Sequence, residues 1–185
     1  KSEKNIQLKT TLESLEHYWS QHLESSIPIQ YLSGTSYWRD LKLEVSNKVL
    51  IPRPETEMII EIITERFKYQ KDKITFVDLG TGSGAIAIAL AMANPKWNGL
   101  ATDIDKNAIE IATRNFTNHS NQSNLKFFHG NWWRPLENFK GEIDLAIANP
   151  PYIPKSTYNK LPKEVKNFEP SKALLGGEDG LDHIK

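Results

Sequence analysis

Apolar positions recur with two different periods along the chain, and the changes of period mark out its elements. Over residues 7–24, Leu8, Leu12, Leu15, Trp19 and Leu23 fall at helical spacing with charged residues between them, which predicts an amphipathic helix. It reads as a packing helix or an arm leading from a preceding segment, with a partner-binding helix as the alternative. Ser25-Ser26-Ile27-Pro28 stops it. The period then drops to two. Leu41, Leu43 and Val45 share one face and Lys42 and Glu44 the other, Ser46-Asn47-Lys48 makes a turn, and Val49-Leu50-Ile51 returns, so residues 37–51 predict a β-hairpin. Pro52-Arg53-Pro54-Glu55-Thr56-Glu57 is extended and leads into a helix that uses Ile59, Ile60, Ile63 and Phe67; Glu55 and Glu57 suit its positive end.

From Ile74 onward short apolar strands alternate with helices. Strands are expected at residues 74–77, 99–102, 125–129 and 143–148, and helices at 85–93 and 106–117, the second started by Asp105. That alternation predicts a parallel, doubly wound α/β sheet with a ligand lying across the carboxyl ends of the strands. The strand at 143–148 is near-continuously apolar and is expected to be buried. Residues 155–185, with Pro154, Pro162 and Pro170 and a glycine-rich run near the end, read as loop. Three units follow: 1–26 as the remnant of a helical domain, 27–53 as a linker with the hairpin, and 54–185 as the catalytic domain.

Composition narrows the classes. The 185 residues suit one domain or one domain with an appendage, and 38% hydrophobic with 25% charged residues is ordinary for a soluble globular protein. A formal net charge of +0 argues against a general nucleic-acid binder, which normally carries a basic excess. The absence of cysteine removes disulfides, thiolate metal sites and cysteine nucleophiles, and points to an intracellular setting. No apolar run approaches the roughly 18 residues of a membrane span. The five histidines, His17, His22, His119, His129 and His183, show no metal-ligand spacing and are expected to be surface or packing residues, so no metal is expected.

Two stretches carry candidate chemistry. The last strand runs into Asn149-Pro150-Pro151-Tyr152. Two prolines stiffen this corner and donate no N–H, so backbone carbonyls point outward; Asn149 adds a side-chain carbonyl and Tyr152 a flat ring. Such a corner accepts both hydrogens of a planar –NH2 group, localises its lone pair and stabilises the charge that grows as the nitrogen attacks. A loop that simply ends a strand is the plainer reading. The first strand runs into Asp78-Leu79-Gly80-Thr81-Gly82-Ser83-Gly84 and then a helix, the context of a nucleotide-type loop. The spacing is not the dinucleotide GxGxxG, which argues against a nicotinamide-dependent oxidoreductase, and Asp78 at the loop mouth suits a ligand ammonium. Asp103 ends the second strand, where such folds place the carboxylate for ribose hydroxyls. Asn131, followed by Trp132 and Trp133, ends the third and could bond and cover a purine; one of the two tryptophans is expected in the core. Arg53, held between prolines, is placed to contact a substrate backbone or a carboxylate.

Taken together, these motifs resemble the class I S-adenosylmethionine-dependent methyltransferases that act on planar nitrogens. Gln30-Tyr31-Leu32-Ser33-Gly34 with Tyr37-Trp38, then Leu50-Ile51-Pro52-Arg53-Pro54-Glu55-Thr56-Glu57, and the late Glu169-Pro170 to Asp179-Gly180-Leu181 run make the chain similar to the HemK/PrmC family from about Ile27 onward. That family methylates the glutamine side-chain amide in the Gly-Gly-Gln motif of peptide-chain release factors. The resemblance implies a cytoplasmic protein-glutamine methyltransferase with S-adenosylmethionine as cofactor and release factors as partners, needing no metal, membrane or direct nucleic-acid contact. It implies that Asp78, Gly80, Thr81, Gly82, Gly84, Asp103, Asn131, Trp132 and Asn149 bind the cofactor. Asn131 stands where the family usually has Asp. Asn149 and Pro150 would hold the target amide, Tyr152 would pack on it, and Pro151 and Arg53 would complete the substrate site. The rivals are the sister activity on a ribosomal-protein glutamine, a nucleic-acid amino-methyltransferase and, for a truncated chain, a non-catalytic binding fragment. One helix of the family's N-terminal bundle and four of its seven strands are found, so a catalytic domain partial at its C-terminus is expected, with an unpaired sheet edge.

Overall fold

The computed structural model describes residues 10–69 and 73–185. The first helix, α1 (Leu12–Ser25), begins at Thr11, whose side chain accepts the Ser14 N–H, and ends at Ser26 in the left-handed conformation at φ 58°. Leu8 and the expected first turn from Gln7 lie outside the described residues. Leu12, Trp19 and Leu23 stay exposed and α1 buries no residue; it packs, as one side of its stripe allows, beside the short helix that follows, where Leu15 and Trp19 lie near Ile29 and Leu32. A short helix, α2 (Ile29–Ser33), follows and ends at Gly34.

The hairpin forms with different partners from those expected. Strand β1 (Thr35–Trp38) pairs antiparallel with β2 (Leu41–Glu44) across an Arg39-Asp40 turn, with Arg39 left-handed at φ 50°. Residues 49–51 are not a strand, because their donors are engaged elsewhere. The Val49 N–H closes the turn onto the Ser46 carbonyl, and the Ile51 N–H goes to the Glu169 carboxylate at 3.3 Å. Arg53 is extended, and a single 3₁₀ turn at Pro54–Thr56 leads into α3 (Glu57–Arg66).

Four parallel strands follow: β3 (Thr75–Leu79), β4 (Asn98–Asp103), β5 (Leu125–His129) and β6 (Leu145–Ala148), in the order β5-β4-β3-β6. Helices α4 (Ala85–Ala93) and α5 (Lys106–His119) make the crossovers from β3 to β4 and from β4 to β5. α4 is apolar all round because it is buried between the sheet and the other elements on that face. Phe76 of β3 packs with Leu90 of α4, Ile60 and Ile63 of α3 and Trp38, Leu41 and Leu43 of the hairpin in one cluster, so the hairpin is part of the main core. Val77, Leu79 and Leu100 face the other way, onto Leu136 in the 3₁₀ turn Arg134–Phe139. As expected from the alternation, the sheet is parallel and doubly wound. The expected burial of the last strand is not found: among the described residues β6 has β3 as its one neighbour, and Ala146 and Ala148 are exposed.

Residues 155–185 are also more regular than expected of a loop. α6 (Lys155–Tyr158), α7 (Lys163–Phe168) and a 3₁₀ turn at Ser171–Ala173 each begin directly after a proline, Pro154, Pro162 or Pro170. Each proline is the capping residue with ψ between 119° and 147°, so it marks where the chain enters the turn, and pieces this short leave no periodicity to detect. No helix among the described residues is long and apolar enough to cross a membrane.

Candidate active site

The chain runs outward from β3 to β4 to β5 and then returns to lay β6 beside β3. The order of strands therefore reverses between β3 and β6. A crevice opens at the carboxyl ends of strands at such a reversal, and here it is flanked by the glycine loop after β3, Asp103 at the end of β4 and Asn149 after β6.

The loop is built from the strand ends. The Gly80 and Thr81 N–H groups both donate to the Thr102 carbonyl at 2.9 Å, and Gly82 N–H donates to an Asp103 carboxylate oxygen at 2.9 Å. Gly84 caps α4 at φ 85°; a Cβ there would press on Ile88 and on Ala112 of α5, so the helices meet closely because this residue is glycine. Asp103 also accepts the Asp105 N–H at 2.9 Å on its other oxygen. Each oxygen keeps a free lone pair, which fits a pair of vicinal hydroxyls. Burial raises the Asp103 pKa above the usual carboxylate range, against the N–H donors that favour its charge. Asp105 acts as the helix cap, accepting the Asn107 N–H at 2.9 Å.

Gly80, Thr81, Gly82, Asp103, Asn131, Trp132, Asn149, Pro151 and Arg53 line one pocket. Gly84, Pro150 and Tyr152 are outside its lining, and Tyr152 is 62% exposed on the rim of the corner. Trp132 sits at φ 49°, half-buried, with its ring over Gly80; Trp133 is exposed. Trp132 packs against the core cluster of Val77, Leu79, Leu100 and Leu136, in keeping with the expectation that one of the two would join the core, and it lines the pocket as well. Trp132 is drawn to the pocket wall by its left-handed backbone.

Asp78 differs most from its expected setting. It is 1% exposed, beneath the loop and not at its mouth, and accepts the Thr81 hydroxyl at 2.6 Å. Its carboxylate is not part of the pocket lining; its contact is with the loop through Thr81. Burial pushes its pKa up to about 6, opposed by the bonds from Thr81 and the Ala87 N–H and aided by the Asp103 charge. The folded state therefore binds this proton more tightly than the unfolded chain, and stability from this group falls as pH rises from about 4 to about 6. Asp78→Asn is expected to gain on the wild type by on the order of 2–3 kcal/mol between pH 4 and pH 7, read as the difference of urea unfolding free energies. A difference that stays constant across that range would exclude the assignment.

Several residues that build the pocket give little sign of it in sequence. Trp38 lines the wall and donates its indole N–H to the Arg53 carbonyl at 2.8 Å. The Arg53 guanidinium donates to Glu169 at 2.6 Å, so one of its amino groups is already engaged within the chain. Asn115, 1% exposed on α5, exchanges bonds with the Glu44 N–H and carbonyl at 2.7 and 3.0 Å and donates to the Ser83 carbonyl at 2.9 Å, tying the hairpin to the glycine loop. An amide on the same helix face as Ala108, Ile111 and Ala112 was the detectable signal. His183 stands 5.7 Å from the Trp132 ring, centroid to centroid.

A parallel sheet in this order, with a glycine loop, an acid after the second strand and a shared pocket, has the class I methyltransferase fold. The hMettl16 catalytic domain, crystallised in complex with a 3′UTR hairpin, superposes with a TM-score of 0.61 over 78% of this chain and 54% of that one, at 18% identity. A SAM-dependent methyltransferase from Agrobacterium tumefaciens gives 0.54 over 63% and 39%, at 14% identity. The chain belongs to the methyltransferase small domain family, whose model matches residues 55–165. It is 42% identical over 183 residues to the release factor glutamine methyltransferase of Prochlorococcus marinus, covering 96% of this chain and 61% of the relative. The Bacillus cereus enzyme of the same name is 38% identical over 174 residues, 93% of this chain and 60% of the relative. The chain thus spans about six-tenths of the length of the curated relatives it matches.

Proposed function

We propose that this chain forms the catalytic part of an S-adenosylmethionine-dependent enzyme that methylates the glutamine amide of the Gly-Gly-Gln motif in peptide-chain release factors. The observation that carries the reading is one pocket in which Asn149 and Pro151 of the Asn149-Pro150-Pro151-Tyr152 corner share the lining with the glycine loop and Asp103. The relatives' shared name supports the substrate.

In this reading Asp103 takes the ribose hydroxyls, the backbone from Gly80 to Gly82 lies against the methionine part, and Asn131 and Trp132 flank the purine. S-adenosylmethionine supplies a methyl group on sulfonium sulfur, an electrophile that requires no metal. The chain's own part is to prepare the nitrogen. The Asn149 side-chain carbonyl and the Pro150 carbonyl accept the two amide hydrogens, which draws the lone pair out of conjugation and stabilises the positive charge on nitrogen. Tyr152 covers the amide plane, and Pro151 keeps the corner rigid. In the transfer the nitrogen–methyl bond would form as the sulfur–methyl bond breaks, leaving a neutral thioether, and the nitrogen would lose one proton to solvent water and be again an amide. Alignment and fixed dipoles carry most of such a transfer.

The test uses the full-length protein with radiolabelled cofactor and two substrates, a release factor and its Gly-Gly-Gln to Gly-Gly-Ala variant. Label on the first and none on the second is the expected result. Label on both, or only on ribosomal protein or nucleic acid, moves the substrate elsewhere.

A further inference from the structure

The late run from Glu169 to Gly180 has no part in the chemistry above, yet it touches both walls of the pocket. At one end Glu169 holds the Arg53 guanidinium and the Ile51 N–H, and Pro170 and Ala173 join the lining. At the other end the run lies against the corner. Pro150, Pro151 and Pro154 offer no N–H, so few backbone donors are left to hold the segment in place. Two of them reach the run: Ile153 N–H donates to the Leu174 carbonyl and Lys155 N–H to the Gly177 carbonyl, both at 2.9 Å. Gly176 N–H returns a bond to the Ile153 carbonyl at 3.0 Å. Gly176 is buried, and a Cβ on it would stand 2.8 Å from the Pro151 carbonyl oxygen, 2.8 Å from the Tyr152 Cα and 2.7 Å from the Gly180 carbonyl oxygen. These are backbone atoms, which have no rotamer by which to yield. Gly180, at φ 84°, is equally tight: a Cβ there would overlap the Tyr152 carbonyl.

We propose that residues 169–180 are a brace that positions the Asn-Pro-Pro-Tyr corner, with Gly176 as the residue at which it bears on Pro151 and Tyr152. The corner's prolines make it stiff but cannot aim it; the brace sets where its carbonyls point. Its catalytic consequence rests on the function proposed above, whereas its structural consequence does not.

The experiment is made in the full-length protein with Gly176→Ala, reading three quantities: amide hydrogen exchange at Ile153 and Lys155, cofactor affinity by calorimetry, and kcat on release factor. Exchange at both amides is expected to accelerate at least tenfold and kcat to fall at least tenfold, with cofactor Kd within twofold. Gly141→Ala is the control, since Gly141 is also left-handed, at φ 85°, but has nothing within 4 Å of a Cβ; it is expected to leave all three quantities unchanged. Lys155→Pro is the second variant, in case Gly176→Ala does not fold. Lys155 is the first residue of α6 after an extended Pro154, a position that accepts proline, so the change removes two contacts with the brace, the Lys155 N–H bond to the Gly177 carbonyl and the Lys155 ammonium bond to Glu178 at 2.9 Å. Faster Ile153 exchange and a severalfold lower kcat are expected from it. Wild-type exchange rates in the folded variants, or faster exchange with kcat unchanged, would overturn the brace. A wild-type enzyme inactive on release factor would remove the substrate proposal alone, and the exchange rates would still decide this one.

Discussion

Asn149→Ala is expected to lower kcat for methyl transfer by on the order of 10²–10³, the range seen when one preorganised polar group is taken from a developing charge. Asn149 stands directly after β6 and lines the pocket beside Pro151, whose ring fixes the backbone that follows. Removing its carbonyl leaves one hydrogen of the target amide facing no acceptor, so the nitrogen keeps its conjugation and its low nucleophilicity. The loss belongs in kcat at saturating cofactor and substrate, because the interaction strengthens as charge grows on nitrogen. Asn149→Asp, which keeps an acceptor oxygen, is expected to recover part of the rate. A variant whose kcat is unchanged while its cofactor Kd rises would show that Asn149 serves the cofactor and not the amide.

Asp103→Ala is expected to weaken S-adenosylmethionine binding by about 100-fold, or about 2.7 kcal/mol, measured by calorimetry on the purified protein. The carboxylate is partly buried and already accepts the Gly82 and Asp105 N–H groups, so the side chain is fixed before any ligand arrives. Its loss removes the acceptors for two hydroxyls and also orphans two backbone donors at the edge of the glycine loop. Asp103→Asn restores one acceptor oxygen but turns an NH2 group toward one of those donors, and is expected to bind little better than the alanine variant. Unchanged affinity in both would remove Asp103 from the cofactor site.

What local pattern could decide, the chain's sequence decided. The strand, glycine loop and helix from β3 to α4, the Asp103 that ends β4, the Asp105 cap and the parallel sheet all follow from contacts between near neighbours or from an alternation that admits few topologies. The elements that make up the candidate site were therefore legible, and Asp103, Asn131 and Asn149 do meet in one pocket.

Partner choice was a different matter. Val49-Leu50-Ile51 is as strand-like as Thr35-Ser36-Tyr37-Trp38, and only the capture of the Ile51 N–H by Glu169, 118 residues away, shows why the first stayed unpaired and the second became the hairpin. Burial was equally hidden. Asp78 reads as an acid at a loop mouth until the fold covers it, and Ala146 and Ala148 read as core until β6 is found, among the described residues, with a single neighbour. Gly176 and Gly180 read as a loop, because the atoms that require glycine there belong to Pro151 and Tyr152. Periodicity reports which face of an element is apolar, but the identity of what lies against that face is set by contacts between residues distant in the chain, and those exist only once the whole has folded.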